Sequence, residues 1–194
     1  MTEFGGWKEL RRGLLIGRFQ PFHIGHLKAI EQAAFENDEV IIGIGSAQYS
    51  YTIDNPFTAG ERIEMIRIGL RSAGHDLSSF IPVPIFDIGE HHLWMSRVKA
   101  TVPRFDVLYT NNPFVKILAE AAGVKVREPV LVEREHLSGT KIRALMISGG
   151  DWRRYVQPEV AAYLDEIGAE ERLRTIAVQL NTSERQVRGG QAVG

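Results

Sequence analysis

The sequence contains no cysteine, which excludes a disulfide framework, a thiolate zinc site and a cysteine nucleophile and leaves stability to packing. It also lacks an excess of either charge. Lys plus Arg number 23 and Asp plus Glu 24, a net charge of −1, so no overall field draws the chain to nucleic acid or to an anionic membrane, and any phosphate binding must be local. Long apolar runs are missing too: the longest, near Val40 to Ile44, is far too short to cross a bilayer. The opening MTEFGGWKELRR has neither the apolar stretch nor the small-residue cleavage site of a secretory signal, so the cytoplasm is the expected compartment. What is present is 194 residues, 44% of them apolar and 9% aromatic, enough for one hydrophobic core. The expectation is a single domain over 1–194, with its body at 13–173 and flexible ends at 1–12 and 181–194.

Hydrophobic periodicity alternates strand and helix. Residues 13–17 (GLLIG) and 39–45 (EVIIGIG) read as buried strands, and 25–37 between them places Leu27, Ile30 and Ala34 on one helical stripe. Thr58 and Glu61 have capping-box spacing before Ile63, Ile66 and Leu70. Residues 80–86 (FIPVPIF) look extended, with two prolines that favour a sheet edge, and a helix is expected over 90–101. A strand at 106–110, a helix capped by Asn112 with Pro113 in its first turn, and a strand at 124–127 complete the pattern. After Ser138 only helices are expected, with 158–167 and 169–180 as an antiparallel pair. The class is α/β, a parallel sheet covered on both faces, whose ligand crevice lies at the carboxyl ends of the strands where their order reverses.

The stretch from Gly17 to His26, GRFQPFHIGH, joins the first strand to the first helix. Pro21 holds the turn, Gly25 lets a backbone approach a ligand without a Cβ in the way, and the helix start offers free N–H groups and a positive dipole end to an anion. His23 and His26 are spaced to lean toward one phosphate. Two other readings of HxxH stand beside this: a pair of surface or capping histidines, and a zinc pair, against which the usual HExxH spacing and the missing cysteine both weigh. Residues 138–143, SGTKIR, form a second such start, with Ser138 as N-cap, Gly139 freeing the backbone and Arg143 one turn in as a fixed positive charge.

Together these two stretches resemble the GxFxPxHxGH and SGTxIR signatures of the HxGH nucleotidyltransferases. With GSAQ (45–48), NPFTAGER (55–62), Asp87 and Ile88 followed by Trp94, and NNP (111–113), the chain from about 13 to 173 resembles the archaeal-type nicotinamide-nucleotide adenylyltransferases. That resemblance implies a Rossmann-like doubly wound parallel sheet with a C-terminal helical extension. It implies transfer of AMP from ATP to nicotinamide mononucleotide (NMN), giving NAD and pyrophosphate by direct in-line attack. It further implies a divalent cation, usually Mg²⁺, and a homo-oligomer, often a hexamer; since no Asp/Glu cluster in the sequence resembles a protein-made Mg²⁺ cage, the cation is expected to be carried mainly by the ATP phosphates, with no metal site on the protein. His23, His26, Arg18 and Arg143 are the catalytic residues it implies. ATP would be held by these together with Gly17, Phe19, Gln20, Gly25, Asn112, Ser138, Gly139 and Thr140, and NMN by Ser46, Asp87 and Trp94, the indole stacking on the pyridinium ring. The chain departs from the pattern at Leu137, where tyrosine is expected, at Asn111, where glycine is expected, and at acidic Asp54, where some relatives carry a basic residue.

An already anionic phosphate attacking the α-phosphorus needs no covalent nucleophile and no strong base; positioning and charge stabilisation suffice. Other readings are the same site acting on a different phosphate monoester, a non-catalytic nucleotide-binding module, and a fragment of a class I aminoacyl-tRNA synthetase, for which the chain is short and lacks a KMSKS-like segment. His75 reads as a loop histidine, His136 belongs to no motif, and His91 and His92 lie near the expected substrate loop with no role assigned.

Overall fold

The structure, a computed structural model, describes residues 9–129 and 137–190; His136, and residues 1–8 and 191–194 of the ends expected to be flexible (1–12 and 181–194), lie outside the described residues. Five parallel strands, β1 (Arg12–Gly17), β2 (Glu39–Ile44), β3 (Phe80–Pro84), β4 (Val107–Tyr109) and β5 (Val126–Arg127), form one sheet in the order β3-β2-β1-β4-β5. The chain winds outward from β1 to one edge and then returns to build the other side, so strand order reverses between β1 and β4, which pair directly. The prolines of 80–86 are accommodated because β3 is an edge strand, bonded among the described residues to β2 alone.

Side-chain alternation along the strands creates two cores. Leu15, Val40, Ile42, Ile44, Val107 and Tyr109 face a large core with α1 (Ile24–Glu36), α2 (Ala59–Ser72), α5 (Gly139–Ser148), α6 (Pro158–Glu166) and α7 (Ala169–Gly190). Leu14, Ile41 and Leu108 face a smaller core with α3 (Trp94–Thr101) and α4 (Pro113–Ala121). Both faces of the sheet are therefore covered, as near-continuous apolar strands require.

Local signals place the helix starts. Thr58 and Glu61 form the expected capping box on α2, and the Asn112 side chain accepts from the Phe114 and Val115 N–H groups at 2.9 and 3.4 Å. Three boundaries differ from expectation. The segment 90–101 is a 3₁₀ turn (His91–Leu93) running into α3, with no side-chain cap to start a longer helix. β5 is only two residues long because the preceding Gly123 (φ +69°) and Val124 are used to end α4, donating to Glu120 O at 3.0 Å and Ala119 O at 2.9 Å. Helix α7 continues to Gly190 rather than ending at Leu180, since no proline or lone glycine interrupts it before the terminal glycine pair.

Candidate active site

The loop after β1 leads into α1 through an unusual cap. His23 is the N-cap, and the cap is reciprocal: the His26 N–H donates to His23 Nδ1 and the His23 N–H to His26 Nδ1, each at 3.3 Å. The two rings stack with centroids 3.6 Å apart and an interplanar angle of 19°. Gly25 makes room for this, since a Cβ there would lie 3.2 Å from the His23 ring. With Nδ1 of each ring occupied as an acceptor, each imidazole is in its neutral form and carries its proton on Nε2. Burial lowers the His23 pKa from 6.5 to about 4, and burial followed by the charge of His23 holds His26 well below the ordinary range. Capping and phosphate donation, two readings of HxxH that compete in the sequence, are thus compatible in one geometry.

Helix α5 starts against the same loop. Ser138 Oγ accepts from the Lys141 N–H at 3.2 Å, and a Cβ on Gly139 would come within 2.7 Å of Gln20 O, so only glycine allows the helix this close. Arg143 lies almost buried beneath the junction. Its Nη1 donates to Gln20 O at 2.9 Å, its Nε to Ile53 O at 2.9 Å, and its Nη2 to Asp54 Oδ1 at 3.1 Å and Thr140 Oγ1 at 3.4 Å. Two helix N-termini, two neutral imidazoles and an arginine converge here, a donor set suited to phosphate oxygens.

Beside it, at the carboxyl ends of the strands, opens a cleft of about 510 Å³. Gly17, Arg18, Ser46, Asp87, Trp94 and Asn112 all line it. Trp94, at the start of α3, is half-buried: it lines the cleft and also packs against the smaller core. Arg18 is exposed, lines the cleft, and is close enough that its charge lowers the pKa of both Arg143 and Arg62, though burial is the larger cause for each.

Some of the expected site residues are brought to the site with their side chains already engaged. The Gln20 amide is buried and exchanges two bonds with the Phe57 backbone at 2.9 and 3.0 Å, tying the loop after β1 to the start of α2. Phe19 is buried against His26, edge-on at 4.7 Å, and Asn112 Oδ1 is committed to capping α4. The Asn111 amide donates to Pro129 O at 3.0 Å.

Sequence reasoning missed Arg62. It is fully buried, and its guanidinium donates to the carbonyls of Arg18 (3.1 Å), Gly45 (2.8 Å), Ser46 (3.3 Å) and Thr58 (3.2 Å). Burial pulls its pKa down to about 10, an effect that Asp87 opposes and Arg18 adds to. This one side chain braces the loops after β1 and β2 that carry Arg18 and Ser46, the latter at φ +52°. A signal was available: Arg62 stands in phase with Met65, Ile66, Gly69 and Leu70 on the buried stripe of α2, where an arginine requires a buried polar partner. His91 also lines the cleft, edge-on to Phe114 at 5.1 Å. Gln48 joins the loops after β2 and β3 through two bonds to the Asp87 backbone, at 3.1 and 3.2 Å.

Residues 14–145 match the family described as cytidylyltransferase-like. A Methanothrix thermoacetophila nicotinamide-nucleotide adenylyltransferase is 51% identical over 168 residues, covering 87% of this chain and 97% of its own. The Pyrococcus horikoshii enzyme of the same name is 45% identical, covering 91% and 94%. Among solved structures, a Francisella tularensis bifunctional NMN adenylyltransferase/ADP ribose pyrophosphatase, complexed with AMP and a Mn ion, superposes with a TM-score of 0.74 at 22% identity. The match covers 95% of this chain but only 56% of that one, so the chain spans little more than half of the bifunctional protein.

Proposed function

The chain belongs to the cytidylyltransferase-like family and, within it, to the nicotinamide-nucleotide adenylyltransferases, and from that premise we infer that it transfers AMP from ATP to NMN, forming NAD and pyrophosphate. The observation that carries the reading is the nearness of two unlike groups of side chains to Arg18: a cluster of donors between the starts of α1 and α5, and a cleft with an indole on its wall. The first suits a triphosphate and the second a cationic aromatic ring.

In the reaction an NMN phosphate oxygen attacks the α-phosphorus of ATP in line, the bond to the pyrophosphate leaving group breaks, and no covalent intermediate with the protein forms. His23 and His26 present Nε2–H donors to ATP phosphate oxygens, His26 to the α-phosphoryl oxygen. Arg18 and Arg143 neutralise charge, assisted by Ser138, Gly139 and Thr140 at the start of α5. Gly17, Phe19, Gln20, Gly25 and Asn112 shape the ATP pocket, and Ser46, Asp87 and Trp94 hold NMN. Among the described residues no group of three or more His, Asp or Glu side chains could hold a metal ion; the donor set fits a Mg²⁺ that enters on the ATP phosphates, where it would neutralise their charge. We take 13–173 as the catalytic body of a cytoplasmic homo-oligomer, with a hexamer as the order to test by light scattering; among the described residues no helix is long and apolar enough to cross a membrane.

The deciding experiment supplies ATP and Mg²⁺ with a panel of phosphate monoesters and measures pyrophosphate. Release with NMN, and NAD as its product, is expected. Turnover confined to a different monoester, or none with any divalent metal or with nicotinate mononucleotide, overturns the assignment.

A further inference from the structure

We propose that Asp54 tunes the affinity for ATP by occupying the open side of Arg143, so that an incoming triphosphate has to displace a carboxylate before it can use that arginine. The inference rests on the ATP site proposed above. The Arg143 side chain is 5% exposed, whereas that of Asp54 is 66% exposed. Three of the arginine's partners, Gln20 O, Ile53 O and Thr140 Oγ1, are neutral and fix the plane of the guanidinium. Asp54 is the charged partner, the one carboxylate within ion-pair reach of Arg143 among the described residues, and it approaches from solvent at 3.1 Å. It therefore stands on the side from which a phosphate would reach the same nitrogen.

Charge balance gives this contact a purpose in the free protein. Arg18 repels both Arg143 and Arg62, while Asp54 offsets the first of these buried cations and Asp87 the second. A triphosphate brings more negative charge than one carboxylate and prevails on Arg143, but its apparent affinity falls by the fraction of molecules in which the pair stands open. The carboxylate is solvated, so opening is cheap. A pair open in about a third to a tenth of molecules lowers affinity about 3- to 10-fold. Asp54 is thus a positioning residue that acts through Arg143, and its effect belongs on ATP binding rather than on NMN or on the chemical step.

The test titrates the full chain with inorganic tripolyphosphate and with ATP, without NMN, by calorimetry, and then measures steady-state constants. Asp54→Asn keeps the size of the side chain on an exposed loop and removes the charge; Asp54→Glu keeps the charge. Expected are about 3- to 10-fold tighter binding of both ligands and a correspondingly lower KM for ATP in Asp54→Asn, with kcat and the NMN KM within about twofold. Asp54→Glu should show no tightening. Equal or weaker binding by Asp54→Asn, no measurable binding by either protein, or tightening in Asp54→Glu as well, overturns the proposal. A wild type that binds tripolyphosphate under Asp54 control but makes no NAD refutes the proposed reaction alone, whereas one that makes NAD with affinity indifferent to Asp54 refutes this inference alone.

Discussion

His23 and His26 are neutral donors because each Nδ1 already accepts a backbone N–H, and this sets their pH behaviour. Donation from Nε2–H needs no added proton, so the His26 contribution to kcat should hold steady between pH 8 and 6. His26→Ala should lower kcat by about 10²- to 10³-fold, the usual cost of losing one preorganised donor to developing charge; a folded, fully active variant would remove His26 from the mechanism. Stability responds differently. With its folded pKa depressed from 6.5 to about 4, His23 binds a proton more readily in the unfolded chain, so its contribution is complete above about pH 6.5 and is lost as pH falls toward 4. The stake is on the order of 3 kcal/mol. Thermal melts of the wild type should therefore drop from pH 7 to pH 5 more steeply than those of His23→Asn, in which a side-chain amide can cap α1 without titrating. For Trp94, cation–π stacking worth about 0.5–2 kcal/mol predicts an NMN affinity about 3- to 30-fold weaker in Trp94→Ala with ATP binding unchanged. Quenching of tryptophan emission by NMN should largely vanish in Trp94→Phe, and equal losses for both substrates would mean that Trp94 only packs.

Elements that begin with a local signal were legible in the sequence. Thr58 with Glu61 and Asn112 with Pro113 mark helix starts because cap and N–H lie within a few residues, and the prolines of β3 announce an edge because a missing donor matters only where a neighbouring strand needs it. What was hidden depends on partners distant in the chain. Arg62 is explained by carbonyls at Arg18, Gly45 and Ser46, and Arg143 by Gln20 O, 123 residues away. The motif residues stand out by their pattern, but which of their side chains are free to meet a ligand does not, since Gln20 is spent on the Phe57 backbone, which only the fold brings near, and Asn112 Oδ1 on the local cap of α4. Helix α5 supplies a test at this scale. Gly139→Ala would set a methyl 2.7 Å from Gln20 O, so the helix start must retreat from the loop. A stability loss of about 1–3 kcal/mol is expected from the overpacking, with a rise in the ATP KM of about tenfold as the two helix ends separate. Urea unfolding and steady-state kinetics would measure the two effects, and an unchanged ATP KM would detach α5 from the ATP site.

On the proposed assignment the sheet keeps the two substrates apart until the carboxyl ends of its strands. Phe19, Phe22, Ile142 and the Leu137 side chain near the donor cluster belong to the large core, whereas Ile16, Ile85, Trp94, Val115 and Leu118 around the cleft belong to the smaller one. On the proposed assignment ATP and NMN approach from opposite faces and meet over the end of β1, at Arg18. The smaller core is thus left unfinished: its upper layer is a cavity with an indole and aliphatic side chains for walls. On that assignment a flat ring entering there would do the work of a missing side chain, and ligand binding would become the last step in building the hydrophobic interior. The thermodynamic mark of that step is calorimetric. NMN should bind with a negative heat-capacity change, as apolar walls leave water, while tripolyphosphate at the donor cluster should show little. Amide exchange should slow most in α3 and α4, the helices whose packing the ring completes.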